Sequence, residues 1–229
     1  MEVSVPGPAG RLEALWWDVP AGVRPRALAV VCHPHPLFGG TLHNTLVFRC
    51  ARALRACDVA VLRFNFRGTG ASEGSHDGNG AEEDDASAAF DWVRARHPGV
   101  ELWGAGFSFG ARTMGALAAR DLRIRRVILM ALPIKRFACP GIERLTQPGY
   151  LLFGGKDEFG TRAEFVARHP DLPPQLELDE VPEATHLYHG CTPLLEQRVL
   201  AYAQRSLGLP VTKPAERAAV PVDSGGGAA

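Results

Sequence analysis

The chain has no excess of either charge: 25 lysines and arginines face 25 aspartates and glutamates over 229 residues. A protein built to hold nucleic acid or an anionic membrane surface concentrates positive charge, so this balance argues against both partners. Long apolar runs are also missing, and none approaches the ~20 residues that a membrane-spanning helix needs. The opening MEVSVPGPAG has neither the basic region nor the apolar stretch of a secretory signal. Cysteine is sparse and odd in number (Cys32, Cys50, Cys57, Cys139 and Cys191), with no CxxC pair. That pattern excludes a disulfide framework and reads as scattered reduced thiols in a cytoplasmic protein. Cys50 and Cys57, seven residues apart, are expected to pack on one helix face.

What is present is globular: 46% hydrophobic and 22% charged residues, enough for the core of one domain. Residues 2–5 and 12–19 read as two strands joined by the turn-forming PGPAG. Short apolar or β-branched runs follow at 27–32, 58–66, 100–106, 125–132, 149–155 and 175–181. Helical spacing lies between them: 44–57, a stretch opened by EEDD and ending near 96, 108–120, 161–169 and 191–208. Strands alternating with helices predict an α/β domain over 1–208, its mostly parallel sheet covered on both faces. From 209 onward the Pro-, Ala- and Gly-rich tail has no periodicity and is expected to be disordered.

In LWGAGFSFGARTMG (102–115), Ser108 has Gly106 and Gly110 two residues to either side, between a predicted strand and a predicted helix. G-x-S-x-G in that context is the nucleophile-elbow pattern. The sharp reversal strains the serine, and the close approach of strand to helix leaves no room for side chains at the two glycines. The turn lifts the hydroxyl off the sheet and aims a helix N-terminus at the reacting carbonyl. The Phe109 amide is a natural donor to an oxyanion. The plainer alternative is a tight strand-to-helix turn.

A serine nucleophile needs a base, and the base an orienting carboxylate, in the chain order Ser, Asp or Glu, His. YLLFGGKDEFG (150–160) supplies Asp157, with Glu158 as its neighbouring competitor. VPEATHLYHG (181–190) supplies His186, nearer the strand end than His189, which is read as starting the last helix. His97 and His169, each before a proline at a predicted helix end, read as structural, and His76 falls in the wrong chain order.

The second oxyanion donor should come from CHPHPLFGGTLHN (32–44). Pro34 and Pro36 have no N–H, so the early loop offers only His33, His35 and Leu37 as donors; His35 is favoured or, with a shifted register, Leu37. The same loop admits a rival reading, with His33, His35 and His43 as zinc ligands, though no carboxylate accompanies them. Arg67 is expected to organise the Gly-rich loop after 66, which lacks the lysine of a phosphate loop. RDLRIRR (120–126) reads as a solvated rim, with a phosphate-bearing acyl carrier such as coenzyme A as the minor alternative.

Taken in order, HPHPLFGG (33–40), RFNFRGTGASEG (63–74), GFSFGA (106–111), GGKDE (154–158) and THLYHG (185–190) resemble the alpha/beta-hydrolase superfamily. More narrowly, the chain is similar to the small lidless bacterial serine hydrolases and esterases, over nearly its whole length to about 208. The resemblance implies a doubly wound sheet with an N-terminal antiparallel hairpin and a Ser108–Asp157–His186 triad. Dienelactone hydrolases share much of this fold but carry cysteine at the position of Ser108. Relatives often have two aromatics after the histidine, where this chain has Leu187 and Tyr188. The implied activity is hydrolysis of small or medium carboxylic esters or thioesters, without metal or cofactor, by a monomer or homodimer. Only 131–148 stands where larger relatives insert a lid, so an open pocket lined by Leu37, Phe38, Phe107, Phe109 and Leu187 is expected. Amidase or peptidase chemistry and a non-catalytic binding protein are the alternatives.

Overall fold

The computed structural model describes residues 1–78 and 80–211. Eight strands form one sheet: β1 (Glu2–Gly7), β2 (Gly10–Trp17), β3 (Ala27–Cys32), β4 (Val59–Phe64), β5 (Leu102–Phe107), β6 (Ile124–Met130), β7 (Gly149–Gly154) and β8 (Leu176–Val181). Their spatial order is β1-β2-β4-β3-β5-β6-β7-β8. The β1–β2 hairpin and the β2–β4 pair are antiparallel, and every other pair is parallel. Five helices connect them: α1 (Thr45–Arg55), α2 (Glu82–Arg96), α3 (Phe109–Ala118), α4 (Arg162–Arg168) and α5 (Thr192–Ser206).

The central strands are buried on both faces, and their alternation sorts side chains into two cores. On β3, Leu28, Val30 and Cys32 join the core under α2, α3 and α4, whereas Ala27, Ala29 and Val31 join the core under α1 and α5. The chain runs from β3 outward to β4 and then back past β3 to β5. This reversal makes the carboxyl ends of β3 and β5 the crevice where ligands bind in open α/β sheets.

Several boundaries differ from the sequence reading. The first hairpin strand is longer and the second starts and ends two residues earlier, because Gly7 pairs directly with Gly10 and leaves only Pro8 and Ala9 to turn. Cys57 lies beyond the end of α1, although it and Cys50 are buried in the same core. Helix α3 begins at Phe109, since Ser108 has a non-helical backbone. The last helix begins at Thr192, so the exposed His189 precedes it rather than opening it. Leu209, assigned above to the tail, donates its N–H to Gln204 O at 2.8 Å and packs on the core. The expected disorder of 212–229 lies outside the described residues. Among those residues, no helix is long and apolar enough to cross a membrane.

Candidate active site

The site starts at the turn from β5 into α3. Ser108 has φ 55° and ψ −116°, a left-handed conformation for a non-glycine residue that costs on the order of 1–3 kcal/mol. Close packing enforces it: a Cβ on Gly106 would lie 2.2 Å from Gly110 O, and one on Gly110 2.4 Å from Cys32 O. Strand, helix and the end of β3 therefore meet backbone to backbone. The Ser108 N–H donates to Met130 O at 2.9 Å, and its carbonyl accepts from Arg112 N–H at 3.0 Å, so both sides of the elbow are tied.

His186 and Asp157 reach this serine from the ends of β8 and β7. The Ser108 hydroxyl lies 2.8 Å from His186 Nε2, and His186 Nδ1 lies 3.0 and 2.9 Å from the two Asp157 oxygens. A carboxylate only accepts, so Nδ1 carries the proton and Nε2 is left as acceptor for the serine O–H. All three side chains are nearly buried, and Asp157 also accepts the Phe159 N–H at 2.7 Å. The Phe107 and Phe159 rings pack against the imidazole with centroids 5.5 and 4.4 Å away. Glu158 is exposed and does not join this relay. Its carboxylate accepts the His186 N–H at 3.3 Å, and such main-chain hydrogen bonds hold its carboxyl below the usual range.

The loop after β3 places the His35 and Leu37 amides differently. Leu37 N–H is consumed by His35 Nδ1 at 3.2 Å, Phe38 and Gly40 donate to His35 O, and Gly39 donates to Pro36 O. Among the described residues, the His35 amide has no acceptor within the loop. Pro34 O stands on the other side of that same peptide group and accepts from His33 Nδ1 at 2.6 Å. His33 Nε2 in turn accepts the Phe66 N–H at 3.0 Å. The trans peptide is planar, so holding the Pro34 carbonyl fixes the direction of the His35 N–H. His33 is fully buried, and desolvation lowers its pKa to about 4, so it is neutral at neutral pH. With both ring nitrogens engaged in the protein, His33 cannot serve in the zinc site considered above. The sequence reading treated His33 as a possible donor or ligand and missed it as a strut.

The Gly-rich loop is held from behind. Arg67 bonds Asp85 through its amide and guanidinium, at 2.7–3.0 Å, as the sequence reading anticipated. His76 Nδ1 lies 2.6 Å from the fully buried Glu82. Half of the EEDD run is thus turned inward to fix this loop rather than presented to solvent.

Of the residues assigned to the pocket, Leu37, Phe38 and Leu187 are exposed at 72, 73 and 48%. Phe107 is a correction: it is fully buried beneath His186, because its β5 side chain points into the core under α1 and α5. Tyr188, the second residue of the divergent pair, is likewise buried. The segment 131–148 holds no lid helix, but it reaches the rim. Phe137 stacks on the His35 ring with centroids 5.5 Å apart, and Ile142 packs back onto α3 near Gly115. Phe137 lies outside every motif, and Phe159, though within YLLFGGKDEFG, carries no signal of its role there.

A family model described as the alpha/beta hydrolase fold matches residues 31–151, and the chain belongs to that family. It is similar to a lidless a/b serine hydrolase from Xanthomonas campestris, at 34% identity and TM-score 0.80, over 93% of this chain and 96% of that one. It is also similar to an alpha-beta serine hydrolase homologue from Coxiella burnetii, at 31% identity and TM-score 0.80, over 87 and 95% of the two chains. An uncharacterized protein of Rickettsia prowazekii (strain Madrid E) is 33% identical over 155 residues, which are 66% of this chain and 64% of that protein.

Proposed function

We propose that the protein is a serine hydrolase that cleaves small or medium carboxylic esters or thioesters through an acyl-enzyme on Ser108. The observation that carries this reading is the 2.8 Å contact between a strained, elbow-borne Ser108 hydroxyl and an imidazole already oriented by Asp157. As Ser108 Oγ attacks the acyl carbon, its proton passes to His186 Nε2. The positive charge that develops on the ring is stabilised by Asp157. The Phe109 amide, first in α3 and so without an intrahelical acceptor, and the His35 amide hold the oxyanion. His186 then gives its proton to the departing alcohol or thiol. Water attacks the acyl-enzyme with His186 again as base, which returns the free acid and the serine.

The exposed Leu37, Phe38 and Leu187 and the absence of a lid helix over 131–148 favour short acyl chains over long lipid tails. The test is a series of p-nitrophenyl esters from acetate to hexadecanoate, beside Ser108→Ala and with a metal chelator. Turnover that peaks at short chains, disappears in the variant and ignores the chelator supports the reading. Chelator-sensitive turnover that survives Ser108→Ala would replace it with a metal hydrolase.

A further inference from the structure

We infer that Arg112 and the His35 side chain form an anion subsite beside the nucleophile, so that the enzyme selects esters whose acid part carries a second, ionised carboxylate. This rests on the serine-hydrolase reading above and adds a substrate class to it. Arg112 stands one helical turn after Ser108 on α3, and its amide is bonded to the Ser108 carbonyl at 3.0 Å. Side chains on a helix lean toward its N-terminus, so this position directs a side chain back over the first turn, where the nucleophile sits. The guanidinium carbon lies 5.9 Å from the Phe109 ring centroid, and Nε donates to Ala138 O at 2.8 Å. Held at Nε, the group has its two terminal nitrogens left over, and among the described residues no carboxylate pairs with it. Arg67, Arg120 and Arg123 are spent on Asp or Glu, and Arg136, which also has no carboxylate partner among the described residues, lies over the Phe159 ring on the His186 side.

The His35 ring completes the subsite. It lies 4.9 Å from the Phe109 ring, and its Nδ1 is used by the Leu37 amide. With Nδ1 accepting, the neutral ring presents Nε2–H as a donor; burial and then His76 lower its pKa, against Glu82, which raises it. Arg112 and His35 meet over the same Phe109 ring, at 5.9 and 4.9 Å from its centroid. Phe38 and Phe137 flank the His35 ring, with centroids 4.7 and 5.5 Å away. Glu82 is the one carboxylate whose charge reaches His35; it is buried with Oε1 held by His76, and Glu158 stands on the His186 side. A guanidinium edge and a ring N–H inside an aromatic frame match a carboxylate rather than a phosphate tail, which would demand more charge.

The test measures kcat/KM for monoethyl adipate and ethyl hexanoate, equal in chain length and leaving group, by alkali uptake at low ionic strength. We expect the adipate-to-hexanoate ratio to fall about tenfold in Arg112→Gln and partly to recover in Arg112→Lys. In the wild type it should also fall on raising salt to about 0.5 M. A ratio unmoved within twofold by either the substitution or the salt overturns the subsite. Fluorophosphonate labelling of each variant shows whether its elbow is folded, and if Arg112→Gln fails to label, the wild-type salt dependence alone decides. A wild type that does not label at all defeats the serine-hydrolase reading instead.

Discussion

The two sides of Ser108 are built differently. On the acid–base side, Asp157 and His186 come straight off the ends of β7 and β8, and each functional atom is placed by its own residue's short loop. On the proposed oxyanion side, the functional atom is a backbone amide, and contacts that span distant parts of the sequence aim it. His33 bridges the Pro34 carbonyl and the Phe66 amide, Asn65 receives the Leu42 N–H at 2.7 Å, and the Arg67–Asp85 and His76–Glu82 pairs brace the loop alongside. A catalytic side chain can be specified by one residue in a motif. A catalytic amide has to be specified by everything that holds its peptide plane.

The largest effects should separate chemistry from scaffold. Ser108→Ala and His186→Ala are expected to lower kcat about 10⁴-fold or more while leaving the melting temperature within a few degrees. Asp157→Asn should approach the same loss, because the amide can leave the imidazole in the wrong tautomer. Comparing kcat with thermal unfolding for these three variants checks the assignment, and a parallel loss of stability would make them structural.

Gly110→Ala should fail in the opposite way. Its Cβ would meet backbone at Cys32, which cannot give as a flexible side chain would, so a melting temperature lower by several degrees is expected together with loss of activity. A stable, active Gly110→Ala protein would mean that strand and helix do not approach as described.

His33 offers a pH test of the oxyanion side. Its folded pKa of about 4 lies below the ordinary histidine value near 6.5, so between these values the unfolded chain binds the extra proton. Stability from this group is therefore complete above about 6.5 and is lost as pH falls toward 4, by at most about 3 kcal/mol. Denaturant unfolding from pH 7 to 4.5 should show a shallower decline in His33→Gln than in the wild type, and identical slopes would contradict the buried strut. The same variant should lower kcat more than it raises KM, since a loosened amide weakens the transition state first.

The smallest effect belongs to Glu158→Gln. Its exposed carboxylate bonds only main-chain N–H groups, its own and that of His186, and an amide oxygen can accept the same bonds. Less than a tenfold change in kcat/KM is expected, in contrast to Asp157→Asn next door, and equal losses at the two positions would reopen the choice between them.

The fold was legible because the β3, β4 and β5 segments are short apolar runs between helical repeats, and the reading missed strand and helix ends by only a few residues. Ser108, Asp157 and His186 were legible because each sits at a strand end beside glycines or in the required chain order. Phe107 was misplaced because adjacency to the serine says nothing about which face of β5 a side chain takes, and alternation sends it to the core. The choice between His35 and Leu37 stayed open because both have an N–H. Only the folded loop shows that His35 Nδ1 uses one of them. The roles of His33, His76 and Glu82 depend on contacts across 33 residues and 6 residues of loop, which no local pattern records.

The central claim is that Ser108 is an activated nucleophile. Its most direct test is the intact mass of the purified protein after treatment with a fluorophosphonate, beside Ser108→Ala. The account predicts one adduct on the wild type and none on the variant. A folded wild type that takes up no adduct, or a variant that takes up as much, would contradict it.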